Sequence, residues 1–299
     1  MIASIPGVLD VSTYAGAAAA PGASPDLLIE IPHGATRTAD FTSLASQMTS
    51  PLPADLVEFF HVNTDVGAPE LAEAVARRFV ADHPERSALV LRCRIPRTLI
   101  DCNRRMDASP EEFKAGRVTP GLMPWIVTEK DRALLRSRYD AYVAAVGAAA
   151  AAMMPSGAML LLHTYAPCEV DVAVDERIVQ SLRAAYAPGV EWPLRPEIDV
   201  IAKDLEGRSW APEAVTEALK REMAAIGVTV ADGATYPMHP STLAYGHATR
   251  WPGRVLCVEV RRDFVADPFD PFVEMRIGEA KVARLAGPLA AAISAWFDG

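Results

Sequence analysis

The sequence predicts an α/β fold, a mainly parallel sheet covered by helices on both faces. Two observations carry this reading. Apolar runs suited to buried strands recur along the chain: LLIEI (27–31), SALVLRCRI (87–95), GAMLLLHTYAP (157–167) and RVLCVEVRRDF (254–264). Between them lie segments with helical spacing of apolar residues, and this alternation is the pattern of a helix-covered parallel sheet. No internal repeat or linker breaks the pattern. The chain therefore reads as one domain over 1–299, with residues 1–26, rich in Ala, Gly, Ser and Pro, as a loose lead-in.

The helices carry their own signals. A short one is expected around 52–60. APELAEAVARRFVADHP has Pro69 where a first helical turn tolerates it. The long helix starting at VTEKD has Thr128 as its N-cap. A helix over 211–227 is closed by Gly227 at the C′ position. The last, from Gly278, is expected to be interrupted at Gly287-Pro288.

Composition excludes several functions. A net charge of −9 and a pI near 5.2 argue against general nucleic-acid binding, which needs a basic surface. The four cysteines, Cys93, Cys102, Cys168 and Cys257, form no CxxC pair, so they read as reduced thiols rather than a thiolate zinc site. No secretory signal is visible, and no stretch reaches the roughly 20 uncharged apolar residues of a membrane span. The expected location is the cytoplasm.

Two strands run into a histidine. LLIEI leads through Pro32 to His33 and Gly34, and AMLLL leads to His163. Ligands of open α/β sheets gather at the carboxyl ends of strands, so parallel neighbours would bring both imidazoles to one rim. Imidazole is a common zinc ligand, and two imidazoles with a carboxylate make an open catalytic site. A core histidine at a strand end is the alternative for each. Glu259 sits among valines in CVEVR; buried, it must be hydrogen-bonded or functional, and desolvation would raise its pKa as a general base requires. On an edge strand it would merely be solvated. The stretch RCRIPRTLIDCNRRMD (92–107) concentrates Arg92, Arg94, Arg97, Arg104 and Arg105, and Arg86 lies just upstream. Asp101, Asn103 and Arg104 follow apolar TLI, as at another strand end, and guanidinium groups bind carboxylates in a two-pronged contact.

Taken in order, IPHG, NTDVGAPELA, RIPRTLIDCNR, LLLHT and VEVRRDF resemble the N-formylglutamate amidohydrolase family, over about residues 27–265. That family is in turn similar to the zinc carboxypeptidases and aspartoacylase. The resemblance implies a central mixed, mostly parallel sheet and one Zn2+ per chain. His33 and His163 would bind the metal, and Glu259 would activate water. Asn103 and Arg104 would hold a carboxylate of a small-molecule substrate. Arg97 would lie near the scissile carbonyl or a second carboxylate, and Asp101 would contact or orient the substrate site. The implied reaction is hydrolysis of the amide bond of an N-acyl, N-formyl-type acidic amino acid. Two departures stand out. Thr36 occupies the place of the glutamate in the His-x-x-Glu of carboxypeptidase-like sites. Asp65 then becomes the third metal ligand, or else an N-cap for the helix near Pro69. The loop DGATYPMHPSTLAYG also differs from the family's usual order, leaving Tyr236 and Tyr245 as substrate contacts. A carboxypeptidase-like hydrolase of short peptides and a non-catalytic ligand-binding relative are the other readings.

Overall fold

The computed structural model describes residues 2–154 and 156–297; residues 1, 155 and 298–299 of the expected domain lie outside them. Among the described residues, seven strands form one sheet: β1 (Leu9–Ala15), β2 (Leu27–Ile31), β3 (Ser87–Cys93), β4 (Ala158–Tyr165), β5 (Ile198–Val200), β6 (Val230–Asp232) and β7 (Val255–Arg261). Their spatial order is β1-β3-β2-β4-β7-β5-β6. The central four, β3, β2, β4 and β7, are parallel, while β1 runs antiparallel to β3 and β5 antiparallel to β7. The sheet is thus mixed and mostly parallel.

Alternation along the central strands sorts side chains onto two faces. Leu28, Leu91, Met159, Leu161 and Cys257 belong to one cluster. It is covered by α2 (Leu56–Asn63), α5 (Glu129–Met153), α6 (Ile178–Ala185) and α8 (Leu243–Arg250). Ile29, Val90, Leu160, Leu162 and Val258 belong to the other. It is covered by α3 (Ala68–Asp82), α7 (Glu213–Ala225) and α9 (Glu279–Ser294). Two short helices, α1 (Thr38–Ala45) and α4 (Pro110–Ala115), lie in the loops after β2 and β3. No helix among the described residues is long and apolar enough to cross a membrane.

Several local expectations hold. Thr128 caps α5, its hydroxyl accepting from the Asp131 amide, and Gly227 follows α7 with φ +70°. Two do not. The lead-in contains β1, paired from Leu9↔Cys93 to Ala15↔Ser87. Its LDVSTYA alternation is that of an edge strand with one covered face, hidden by flanking Ala, Gly and Pro. Helix α9 also continues through Pro288. A proline removes one helical hydrogen bond. Burial of Leu285, Leu289 and Ile293 against α3 and α7 outweighs that loss.

Candidate metal centre and substrate cavity

His33 lies two residues beyond β2, and His163 is the sixth residue of β4. Because β2 and β4 are parallel neighbours, both rings reach the same rim, with centroids 5.0 Å apart. The glycine after His33 is required by close approach. A Cβ on Gly34 would lie 2.6 Å from Arg92 Cγ and 2.9 Å from the Cys93 carbonyl oxygen. Arg92 Nε donates to the Gly34 carbonyl at 2.7 Å, fastening the turn.

Asp65 joins the two histidines. Its Oδ2 is 3.2 Å from His33 Nδ1 and 3.0 Å from His163 Nδ1, and the two nitrogens are 3.3 Å apart. All three residues are buried. The N-cap reading of Asp65 fails, because Gly67 occupies that position of α3 at φ +86°. A side chain at Gly67 would strike Val265 Cγ2 at 2.4 Å, so the glycine lets the chain turn from Asp65 directly into α3. Thr36 takes no part. Its hydroxyl accepts from Arg92 Nη2, and its amide donates to Asp40.

Asp101 holds this arrangement from behind. It is fully buried and does not line the cavity, so it is a positioning group and not a substrate contact. Its Oδ1 lies 2.7 Å from His33 Nε2, and its Oδ2 is 3.0 Å from Arg97 Nη2 and 3.3 Å from Arg104 Nη2. Burial pushes its carboxyl up, but Arg104, His33 and Arg97 outweigh burial and hold it well below the usual carboxylate range. An ionised Asp101 only accepts, so His33 Nε2 donates. His33 Nδ1 is then the ring atom turned toward Asp65. Burial likewise raises Asp65, and the two histidines overcome it and hold the carboxyl far below its ordinary value. Two imidazole nitrogens and a carboxylate oxygen, all within 4.8 Å of one another, make a group that could hold a metal ion. The histidine–carboxylate contact behind His33 is the usual outer support of such a ligand. The residues therefore fit a metal ion.

Glu259 stands beside His163 in the register of β4 and β7. The strand is flanked by β4 and β5, which removes the edge-strand alternative. Burial pushes its carboxyl up to about 7; His163 opposes this and Asp65 adds to it. Its Oε2 is buried without a hydrogen-bond partner. Asp199 pairs with Glu259 across β5 and β7 and accepts from the amides of Ala234 and Thr235. Asp199 thereby fixes the turn that delivers Tyr236.

These groups face a cavity of about 1030 Å³. Its wall includes His33, Arg97, Asn103, Arg104, His163 and Glu259. Asn103 is tied to α8, its Oδ1 accepting from the Ala244 amide. Arg97 keeps a buried, unpartnered Nε. Tyr236 lines the cavity; Tyr245 does not, and packs edge-on against Trp210 at 5.9 Å. The N-cap of α8, Thr242, and Ala244 in its first turn face the cavity, and the roughly 100° step to the next residue turns Tyr245 away. Two wall residues escape the sequence reading, Arg195 and Arg262. Arg262 is the first residue beyond β7, the strand that carries Glu259, so the strand-end argument applied to the histidines would have found it. Burial pulls its guanidinium down to about 10, the Asp65 charge opposing. Arg195, in the loop WPLRPE, carries no such signal.

The family model for N-formylglutamate amidohydrolase matches residues 25–266. The chain belongs to this family. Membership makes amide hydrolysis its reaction class. Among solved structures, an N-formylglutamate amidohydrolase from Ralstonia eutropha JMP134 is 17% identical with a TM-score of 0.55, covering 95% of this chain and 97% of that one. A gene product of Agrobacterium tumefaciens is 18% identical with a TM-score of 0.57, covering 97% and 93%. At these identities the likeness is one of fold. A metallo-carboxypeptidase from Burkholderia cenocepacia, 14% identical, reaches a TM-score of 0.39 over 96% of this chain and 60% of that one. No curated protein matches significantly.

Proposed function

We propose that the protein hydrolyses the amide bond of an N-acyl acidic amino acid of the N-formyl type, with zinc at His33, Asp65 and His163 and Glu259 as the general base. The observation that carries this reading is the convergence of His33 Nδ1, His163 Nδ1 and Asp65 Oδ2 beside an unpartnered carboxylate oxygen of Glu259. Bound there, zinc would supply Lewis acidity, polarising the amide carbonyl and making water a competent nucleophile near neutral pH. Glu259, with its raised pKa, takes the proton from attacking water and passes it to the leaving amine. Arg97 is held by Asp101 and the Asn63 carbonyl, which leaves its Nε to face negative charge developing on the carbonyl oxygen. Asn103 and Arg104 bind the substrate's α-carboxylate. Three Arg104 contacts, to Thr119, Asn103 and Asp101, leave N–H donors of its five for that purpose.

The cavity volume supports a second reading. At about 1030 Å³ it stands at the upper end of the roughly 300–1,000 Å³ of ligand pockets, which suits a longer acyl group or a short peptide. A substrate panel separates the two. The zinc-loaded protein is given N-formyl- and N-acetyl-L-glutamate, their aspartate counterparts, and dipeptides with a C-terminal glutamate. Release of formate or acetate ahead of dipeptide cleavage is the expected result. Dipeptide cleavage alone replaces the first reading with the second, and no hydrolysis of any member refutes both.

A further inference from the structure

The cavity's positive charge is unevenly compensated. Arg97 is paired with Asp65 and Asp101, and Arg104 with Asp101. Arg195 and Arg262 line the same cavity, and neither has a carboxylate within 4.0 Å among the described residues. Both keep a buried Nε without a hydrogen-bond partner. Two cations of like sign on one cavity wall, Arg262 buried and Arg195 partly so, are costly unless an anion joins them.

Arg195 is built to receive that anion. Its backbone is fixed on both sides, the amide donating to the Pro167 carbonyl at 2.8 Å and the carbonyl accepting from Arg261 Nη1 at 2.9 Å. Its guanidinium lies over the rings of Tyr165 and Tyr236, 5.3 and 5.6 Å from their centroids. Nη2 donates to the Tyr236 hydroxyl at 2.9 Å and Nη1 to the Ala166 carbonyl at 3.3 Å. A planar cation held this way, with donors unspent, matches a carboxylate. Arg262 has a structural task as well. It donates to the His61 and Val62 carbonyls at the end of α2, where a cation suits the helix dipole. It adds to the positive field without being freely replaceable, so the specific contact falls to Arg195.

We propose that Arg195, steadied by Tyr236, recognises the second carboxylate of a dicarboxylate substrate, the side-chain carboxylate of the acyl amino acid. This rests on the reading of the cavity as an amidohydrolase site, and the test keeps the two apart. Glutarate and butyrate are titrated by calorimetry into the wild type, Arg195→Met, Arg195→Lys and Tyr236→Phe. The wild type should prefer glutarate by at least about tenfold, as a desolvated charge contact gives. Arg195→Met should reduce the preference to below about threefold with butyrate affinity unchanged, and Arg195→Lys should fall between, keeping charge but losing the planar fork. Tyr236→Phe should weaken glutarate alone by a few-fold, and it decides the matter with Arg195→Lys if Arg195→Met does not fold. Wild-type preference retained in these variants, or absent from the wild type, overturns the proposal. Binding needs no turnover, so an Arg195-dependent preference in a protein that cleaves no acyl amino acid upholds the subsite and refutes the reaction. Equal kcat/KM for N-formyl-L-glutamate and N-formyl-L-glutamine upholds the reaction and overturns the subsite.

Discussion

Glu259 has the widest consequences of any single residue in this site. In the proposed role of general base it must be deprotonated, and burial pushes its carboxyl up to about 7, so kcat/KM should fall as pH drops through that region. A cation on the neighbouring ligands pulls the limb lower through its field. Glu259→Gln should bind metal as the wild type does and lose at least about a hundredfold in rate, within the ~10²–10⁴ typical of acid–base groups. A pH–rate profile of both proteins checks this. A Gln variant with full activity and the same acidic limb would remove Glu259 from that role. The signal for Glu259 was legible in sequence as a carboxylate inside an apolar run. His33 and His163 were legible as strand-end histidines, and Asp101-x-Asn103-Arg104 as a charged cluster after TLI. Arg195 was not, because a loop arginine becomes informative only when its lack of a carboxylate partner can be seen in three dimensions.

At the scale of elements, the site depends on how β2 and α3 are joined to their surroundings. Asp65 reaches the histidines because Gly67, at φ +86°, starts α3 against Val265 with no side chain in the way. Gly67→Ala combines a left-handed conformation with a 2.4 Å approach to Val265 Cγ2. It should cost about 1–3 kcal/mol from the backbone alone, and more from the clash. It should also weaken metal binding by displacing Asp65, and denaturant unfolding with a metal titration reads both effects. A variant as stable and as metal-competent as the wild type would show that α3 does not set the position of Asp65. Long, strongly patterned elements were readable in advance, α5 with its Thr128 cap and β2 as the LLIEI run among them. The three-residue strands β5 and β6 were not, since their pairing is set by tertiary contact rather than by a periodic pattern. Pro288 misled for the same reason: packing on both sides of α9 overrides a local helix breaker.

Across the whole molecule, four parallel strands bring distant segments to one rim. Residues 33, 65, 101, 163 and 259 meet there although more than two hundred positions separate the first from the last. The order of motifs pointed to a helix-covered, mostly parallel sheet. The antiparallel flank strands β1 and β5 are what the alternation of strands and helices could not reveal. A wall of arginines in a chain of net charge −9 concentrates positive potential where a carboxylate substrate would bind. The proposed function makes His33, Asp65 and His163 one metal site on which hydrolysis depends. Its most direct test is a zinc titration of the chelator-stripped wild type, following formate release from N-formyl-L-glutamate, beside Asp65→Ala. Activity should rise to a plateau at about one zinc per chain in the wild type and stay near background in the variant. Full activity in the stripped protein, or an unchanged titration in Asp65→Ala, would show that hydrolysis does not depend on a metal at these residues.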